Sequence, residues 1–155
     1  MRRGVAGVSA PALLLALLPA LLPAGCSSDE TRVPRVVVGQ AAPIALEVAD
    51  DAAERRMGLM GRPDVPPGTG MVFIYDEPVT TPFWMGNVEV PLSIAWVLDD
   101  RVVDVAEMQP CPAADSSCPR YAPGAAYDRA VETTGGTFAD AAVQPGDPVT
   151  FTNLD

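Results

Sequence analysis

Hydrophobic and polar positions follow two different rhythms along this chain. From Val5 to Leu22 the sequence is almost free of polar groups and rich in Leu and Ala. Beyond about residue 41 the apolar runs are short and broken by Gly, Pro and Asp, the pattern of strands joined by turns. Ile44-Ala-Leu46-Glu-Val48 alternates and predicts a strand. Glu54 stands three places after Asp51, a capping arrangement that opens a short helix from about Ala52 to Met60, with Pro63 as its stop. Met71 to Tyr75 is β-branched and aromatic and predicts a second strand, with Asp76-Glu77-Pro78 as the turn after it. Phe83-Trp84-Met85 begins another extended piece. Leu92–Leu98 and Arg101–Met108 form a hairpin about Asp99-Asp100. A Pro-rich loop covers Gln109 to Gly124. A strand at Tyr127–Thr133, a short helix at about Thr137–Ala142 and a last strand at Val149–Thr152 complete the pattern. The expected fold class is α+β: β-rich, with a mostly antiparallel sheet or partly closed barrel and two short helices.

The apolar opening reads as a signal peptide. Arg2 and Arg3 precede it, and Pro11, Pro19 and Pro23 interrupt it, which suits a signal better than a spanning helix. It ends Leu22-Pro23-Ala24-Gly25-Cys26-Ser27-Ser28-Asp29, which resembles the lipobox of bacterial lipoproteins. That resemblance implies a diacylglycerol on the Cys26 thiol and a membrane anchor. Pro23 stands where the pattern usually has Leu; ordinary secretion with cleavage near Gly25 is the alternative. The expected organisation is a signal peptide over 1–25, a tether over 26–40 and one globular domain over 41–155. Within the tether, Val36-Val37-Val38 could add an edge strand before Gly39. With Cys26 lipidated, Cys111 and Cys118 remain as a pair, expected to oxidise outside the cytosol. A disulfide over so short a loop stabilises by about 2–3 kcal/mol. The rivals are a redox pair or a two-thiolate metal site, but the six-residue spacer Pro112–Ser117 is long and loop-like for redox work.

Charge and missing residue types narrow the chemistry. All ten basic residues are Arg; eight of them and all twenty acids lie beyond Cys26, a net −12 there. An acidic chain without a basic stripe predicts no nucleic-acid partner. Without His there is no His triad, His base or His metal ligand, and without Lys there is no Schiff base.

Several segments taken together resemble a known family, domain of unknown function 192. They are Glu54-Arg55-Arg56-Met57-Gly58-Leu59-Met60 with Arg62-Pro63, Gly70-Met71-Val72-Phe73, Phe83-Trp84-Met85-Gly86-Asn87, Pro91-Leu92-Ser93-Ile94, the Cys111 and Cys118 loop, and Gly146-Asp147. The resemblance runs from Leu46 to about Phe151. It implies a small β-rich fold, commonly exported or lipid-anchored, and no established activity. Where the family often has Lys, Thr and Asp, this chain has Gly86, Val88 and Ser93.

Candidate site residues follow from side-chain chemistry. Trp84 and Asn87 could line a groove, an aromatic platform beside an amide, which suits a sugar or a peptide end. The plainer reading has Trp84 in the core and Asn87 holding a turn. Arg55 and Arg62 are candidate clamps for a carboxylate or phosphate, or else structural ion-pair partners. The acids Asp76, Glu77, Glu107 and Glu132 show no catalytic pairing and read mostly as solvated surface. Met57, Met60, Met71, Met85 and Met108 could hold Cu(I), although Met more often fills a core. No cofactor or metal is called for. The functional expectation is an extracytoplasmic binding or accessory module, anchored to the membrane, with an envelope glycan, peptide or protein as partner. The alternatives are an envelope-active enzyme using carboxylates and a Met-based copper carrier.

Overall fold

The computed structural model describes residues 1, 4, 32–113 and 117–154. The signal-peptide and Cys26 lipidation readings lie outside the described residues. Among the described residues no helix is long and apolar enough to cross a membrane.

Among the described residues, nine strands and two short helices follow one another. They are β1 (Arg35–Val38), β2 (Ile44–Ala49), α1 (Ala52–Met57), β3 (Thr69–Val79), β4 (Phe83–Trp84), β5 (Leu92–Leu98), β6 (Arg101–Met108), β7 (Arg120–Tyr121), β8 (Tyr127–Thr134), α2 (Thr137–Asp140) and β9 (Val149–Thr152). Seven strands form one sheet in the order β6-β5-β8-β3-β2-β1-β9, and β4 pairs with β7 in a separate two-stranded layer. Among these strands only β2 and β3 run parallel, joined through α1; the other strand pairs are antiparallel. The two edges of the large sheet meet. Val102 N donates to Asp147 O at 3.0 Å and Val149 N to Asp100 O at 2.9 Å. The sheet is a partly closed barrel, as the sequence pattern predicts.

Local chemistry explains most elements. Asp51 caps α1 by accepting from Ala53 N at 2.7 Å and Glu54 N at 2.8 Å, while the Glu54 carboxylate accepts from the backbone N–H of Asp51. This is the capping box read from the sequence. The helix ends at Met57, earlier than the expected Met60, because Gly58 turns to a φ of 48°. At the β5–β6 turn, Asp99 and Asp100 have φ of 51° and 55°, the left-handed pair of a two-residue hairpin.

Two expectations need correction. Asp76-Glu77-Pro78 is not a turn: β3 continues to Val79, and its register with β8 shifts between Ile74 and Val79. That irregularity accommodates Pro78, which has no N–H to give the ladder. The stretch Arg35–Val38 is not tether. It pairs with β2 on one side and β9 on the other, with Val36 and Val38 fully buried. The folded unit therefore begins before residue 41, and β1 is an interior strand where an edge strand was the most the pattern offered.

Both faces of the sheet are covered, which is why β5 reads as an unbroken apolar run. Ala95 and Val97 face an inner core to which all seven strands contribute, capped by Phe138 of α2. Leu92, Ile94 and Trp96 face an outer core with Met71, Phe73, Met85, Met108 and Tyr127. The segment after α1 and the β4 region complete that outer layer through Leu59, Val65, Phe83 and Val88. Cys111 and Cys118 are joined in a disulfide, with Cα atoms 5.7 Å apart. The loop they close pairs with the stretch after β4: Cys111 N donates to Val88 O at 2.8 Å, and Asn87 N to Ala113 O at 3.0 Å.

Candidate functional site

A cavity of about 230 Å³ opens in the outer layer. One wall is the end of α1 and the residues after it, Arg55 to Met60; the opposite wall is Thr81 to Trp84 with Val88. Phe73 and Tyr75 of β3 and Glu132 of β8 close it from the sheet side. Phe73 and Phe83 meet edge to face, with ring centroids 4.9 Å apart. The walls are mainly apolar and aromatic, as small-molecule sites usually are.

Glu132 is the unexpected member. It sits opposite Met71 on β3 and Ile94 on β5, in the middle of the sheet, and is only 5% exposed. Among the described residues it makes no hydrogen bond and no ion pair. Burial alone pushes its carboxyl up to about 8, so at neutral pH it is mostly protonated. The reading of the acids as mostly solvated surface fails here. The signal available in sequence was period-two alternation, which puts Glu132 on the same face as Ala130. It was weak, because only the structure shows β8 to be a central strand covered on both sides.

The candidates named from sequence separate into two groups. Arg55 and Trp84 line the cavity. The Arg55 Nη1 donates to the backbone oxygens of Asp50 and Ile74 (2.8 Å for Ile74), and its guanidinium lies 5.0 Å from the Tyr75 ring centroid. Its charge is largely committed to holding α1 on β3. Trp84 is half-buried, with the Arg120 guanidinium 5.5 Å from its ring and a buried Nε1 that has no partner. It is not an open platform for a sugar.

Arg62 and Asn87 lie away from the cavity lining. Arg62 makes a two-point ion pair with Glu47, at 2.5 Å and 2.7 Å. The hydrogen bond from Arg62 lowers the Glu47 carboxyl, and the same bond raises the Arg62 guanidinium. Asn87 holds a turn: its φ is 61° and its backbone oxygen accepts from Gly61 N at 2.8 Å. Of the methionines, Met57 and Met60 reach the cavity, while Met71, Met85 and Met108 are packed in the outer core.

The model of DUF192, a family described as "Uncharacterized ACR", matches residues 35–151. The chain belongs to the DUF192 family. Among solved structures, this DUF192 domain is similar to a protein of unknown function from Novosphingobium aromaticivorans, 30% identical with a TM-score of 0.67, covering 75% of this chain and 83% of that one. It also resembles in fold a Sinorhizobium meliloti protein described as a proposed transcription regulator. That pair is 22% identical with a TM-score of 0.64, covering 77% of this chain and 95% of the other. No curated protein matches.

Gly86, Val88 and Ser93, where the resemblance implies other residues, each have a structural role. A Cβ on Gly86 would sit 2.2 Å from the Trp84 ring, so the indole occupies the space that a side chain at 86 would need. Val88 makes the cavity wall more apolar than a Thr would. Ser93 is fully buried, and its hydroxyl donates to Glu107 Oε1 at 2.5 Å.

Proposed function

We propose that this DUF192 domain is a binding module that takes a small ligand in the cavity beside Glu132. The observation that carries this reading is the unpartnered, buried carboxyl facing an apolar void. An isolated buried carboxyl costs folding free energy, and such perturbed groups concentrate at functional clefts. The cavity is smaller than the range of about 300–1,000 Å³ typical for drug-sized ligands, which favours a small molecule over a glycan or peptide chain.

The reading includes location. Lipid on Cys26 would hold the module at the outer face of the cell membrane, with the residues before β1 as a short tether. Mass spectrometry of the mature chain tests this part: a diacylglycerol adduct that Cys26→Ala abolishes is expected, and an unmodified N-terminus overturns it. The enzymatic alternative calls for a second carboxylate facing Glu132, and Glu132 is the one acid in the cavity lining.

The test of binding is a ligand-observed NMR screen of small polar and aromatic fragments against the full chain and Glu132→Leu. Hits that the wild-type chain binds and the variant releases are expected. A screen with no hit on the wild-type chain overturns the reading.

A further inference from the structure

The contents of the cavity point to the charge of its occupant. Among the described residues its lining holds one acid, Glu132, whose carboxyl has no partner, and four aromatic rings: Phe73 and Phe83, and Tyr75 and Trp84, which already carry the guanidinium groups of Arg55 and Arg120. An anion placed there would meet the ring faces and Glu132, against two guanidinium groups of which Arg55 is already bonded to backbone oxygens and Arg56 is open to solvent. A purely apolar ligand would seal Glu132 off from water with nothing to bond, a penalty of the kind that leaves polar groups paired elsewhere. A cation gains from both features: the ring quadrupoles attract it, and the carboxylate neutralises it in a poorly solvated space. The strong acidity of the chain beyond Cys26 draws cations towards the domain as a whole.

The other charged or titratable groups in the lining are Arg55, Arg56 and Tyr75. Arg55 opposes a cation least, since its guanidinium is bonded to two backbone oxygens and stacked on Tyr75. Arg56 is exposed, where solvent and salt screen its charge.

We propose that the cavity binds a small organic ammonium ion, its cationic head among the aromatic rings with the Glu132 carboxylate as counter-ion. The proposal rests on the binding reading above and specifies the ligand class. Binding then requires Glu132 to release its proton to solvent. With the carboxyl pushed up to about 8, the competent form is scarce at low pH and dominant at high pH.

Isothermal titration of the full chain tests this, with choline chloride as probe and 3,3-dimethylbutan-1-ol as its uncharged isostere. Choline is expected to bind while the alcohol does not. Its apparent affinity should rise about 90-fold between pH 6 and pH 9, the ratio set by the ionised fraction of Glu132. At pH 7 the measured enthalpy should differ between phosphate and Tris buffers, reporting proton release. Glu132→Gln should abolish the pH dependence and weaken choline at least tenfold. If that variant does not fold, the isostere comparison and the buffer dependence decide without it. Equal binding of choline and the alcohol, or choline binding that ignores pH, overturns the ammonium proposal and leaves the cavity as a binding site. Fragment hits without choline binding do the same. A silent fragment screen removes both readings.

Discussion

The two faces of the seven-stranded sheet solve the same problem differently. On the inner face, buried polar side chains are matched. Ser93 donates to Glu107, whose other carboxylate oxygen accepts from Gly136 N at 2.8 Å, and Thr133 donates to Thr69 O at 2.7 Å. On the outer face, Glu132 is 5% exposed and the indole nitrogens of Trp84 and Trp96 are fully buried, and none of the three has a hydrogen-bond partner among the described residues. The unmatched groups therefore gather in one layer, and the cavity opens in that same layer. A fold able to satisfy Ser93 and Thr133 so fully is not short of hydrogen-bonding options in general. The deficit is local, which is what a site awaiting a ligand looks like.

The largest expected effect breaks the comparison by pH. The folded state raises the Glu132 carboxyl from 4.5 to about 8, so it holds this proton more tightly than the unfolded chain does. The resulting contribution to stability is complete below about pH 4.5 and is lost as pH rises through about 8, up to about 5 kcal/mol in total. Urea unfolding at pH 5 and pH 9 should show wild type losing about 4 kcal/mol of it relative to Glu132→Gln; parallel curves would mean Glu132 is not isolated. Next, the inner face should be the less forgiving. Phe138→Ala removes a side chain 1% exposed and is expected to cost about 3–5 kcal/mol. Phe83→Ala, beside the existing void, should cost about 1–2 kcal/mol, and thermal melts of both variants measure the gap.

Smaller effects sharpen the picture of the outer layer. Replacing Cys111 and Cys118 by Ser should cost about 2–3 kcal/mol in denaturant titrations, with amide exchange rising first at Asn87 and at position 111. Arg62→Ala should change stability by at most about 1 kcal/mol, because its pair with Glu47 is partly exposed, and should leave ligand binding intact. A loss of fragment hits in that variant would return Arg62 to the site.

Legibility from the sequence tracked how local the governing interaction is. The Asp51–Glu54 box, the Asp99-Asp100 turn and the bounds of β5, β6 and β9 are set by residues a few places apart, and each is where the pattern puts it. The Cys111–Cys118 bridge was readable from parity. What escaped depends on distant partners. Val36–Val38 looked marginal because its mates, β2 and β9, include a strand at the far end of the chain. Glu132 looked like any surface acid because nothing within a few residues reveals that Met71 and Ile94 enclose it. Side-chain chemistry marks Trp84, Arg55, Arg62 and Asn87 alike; the first two reach the cavity, while Arg62 serves Glu47 and Asn87 a turn.

The pairing of β1 with β9 also governs when this domain can exist. Arg35 lies opposite Thr152, so β9, made after the other strands described, is the neighbour that β1 lacks until then. Until it emerges, one side of β1 is an open ladder, β6 has no seam to close against, and the inner core lacks Val149. The nascent chain cannot finish this fold piecemeal. Closure of the barrel waits for β9, which seals β1 on one side and β6 on the other.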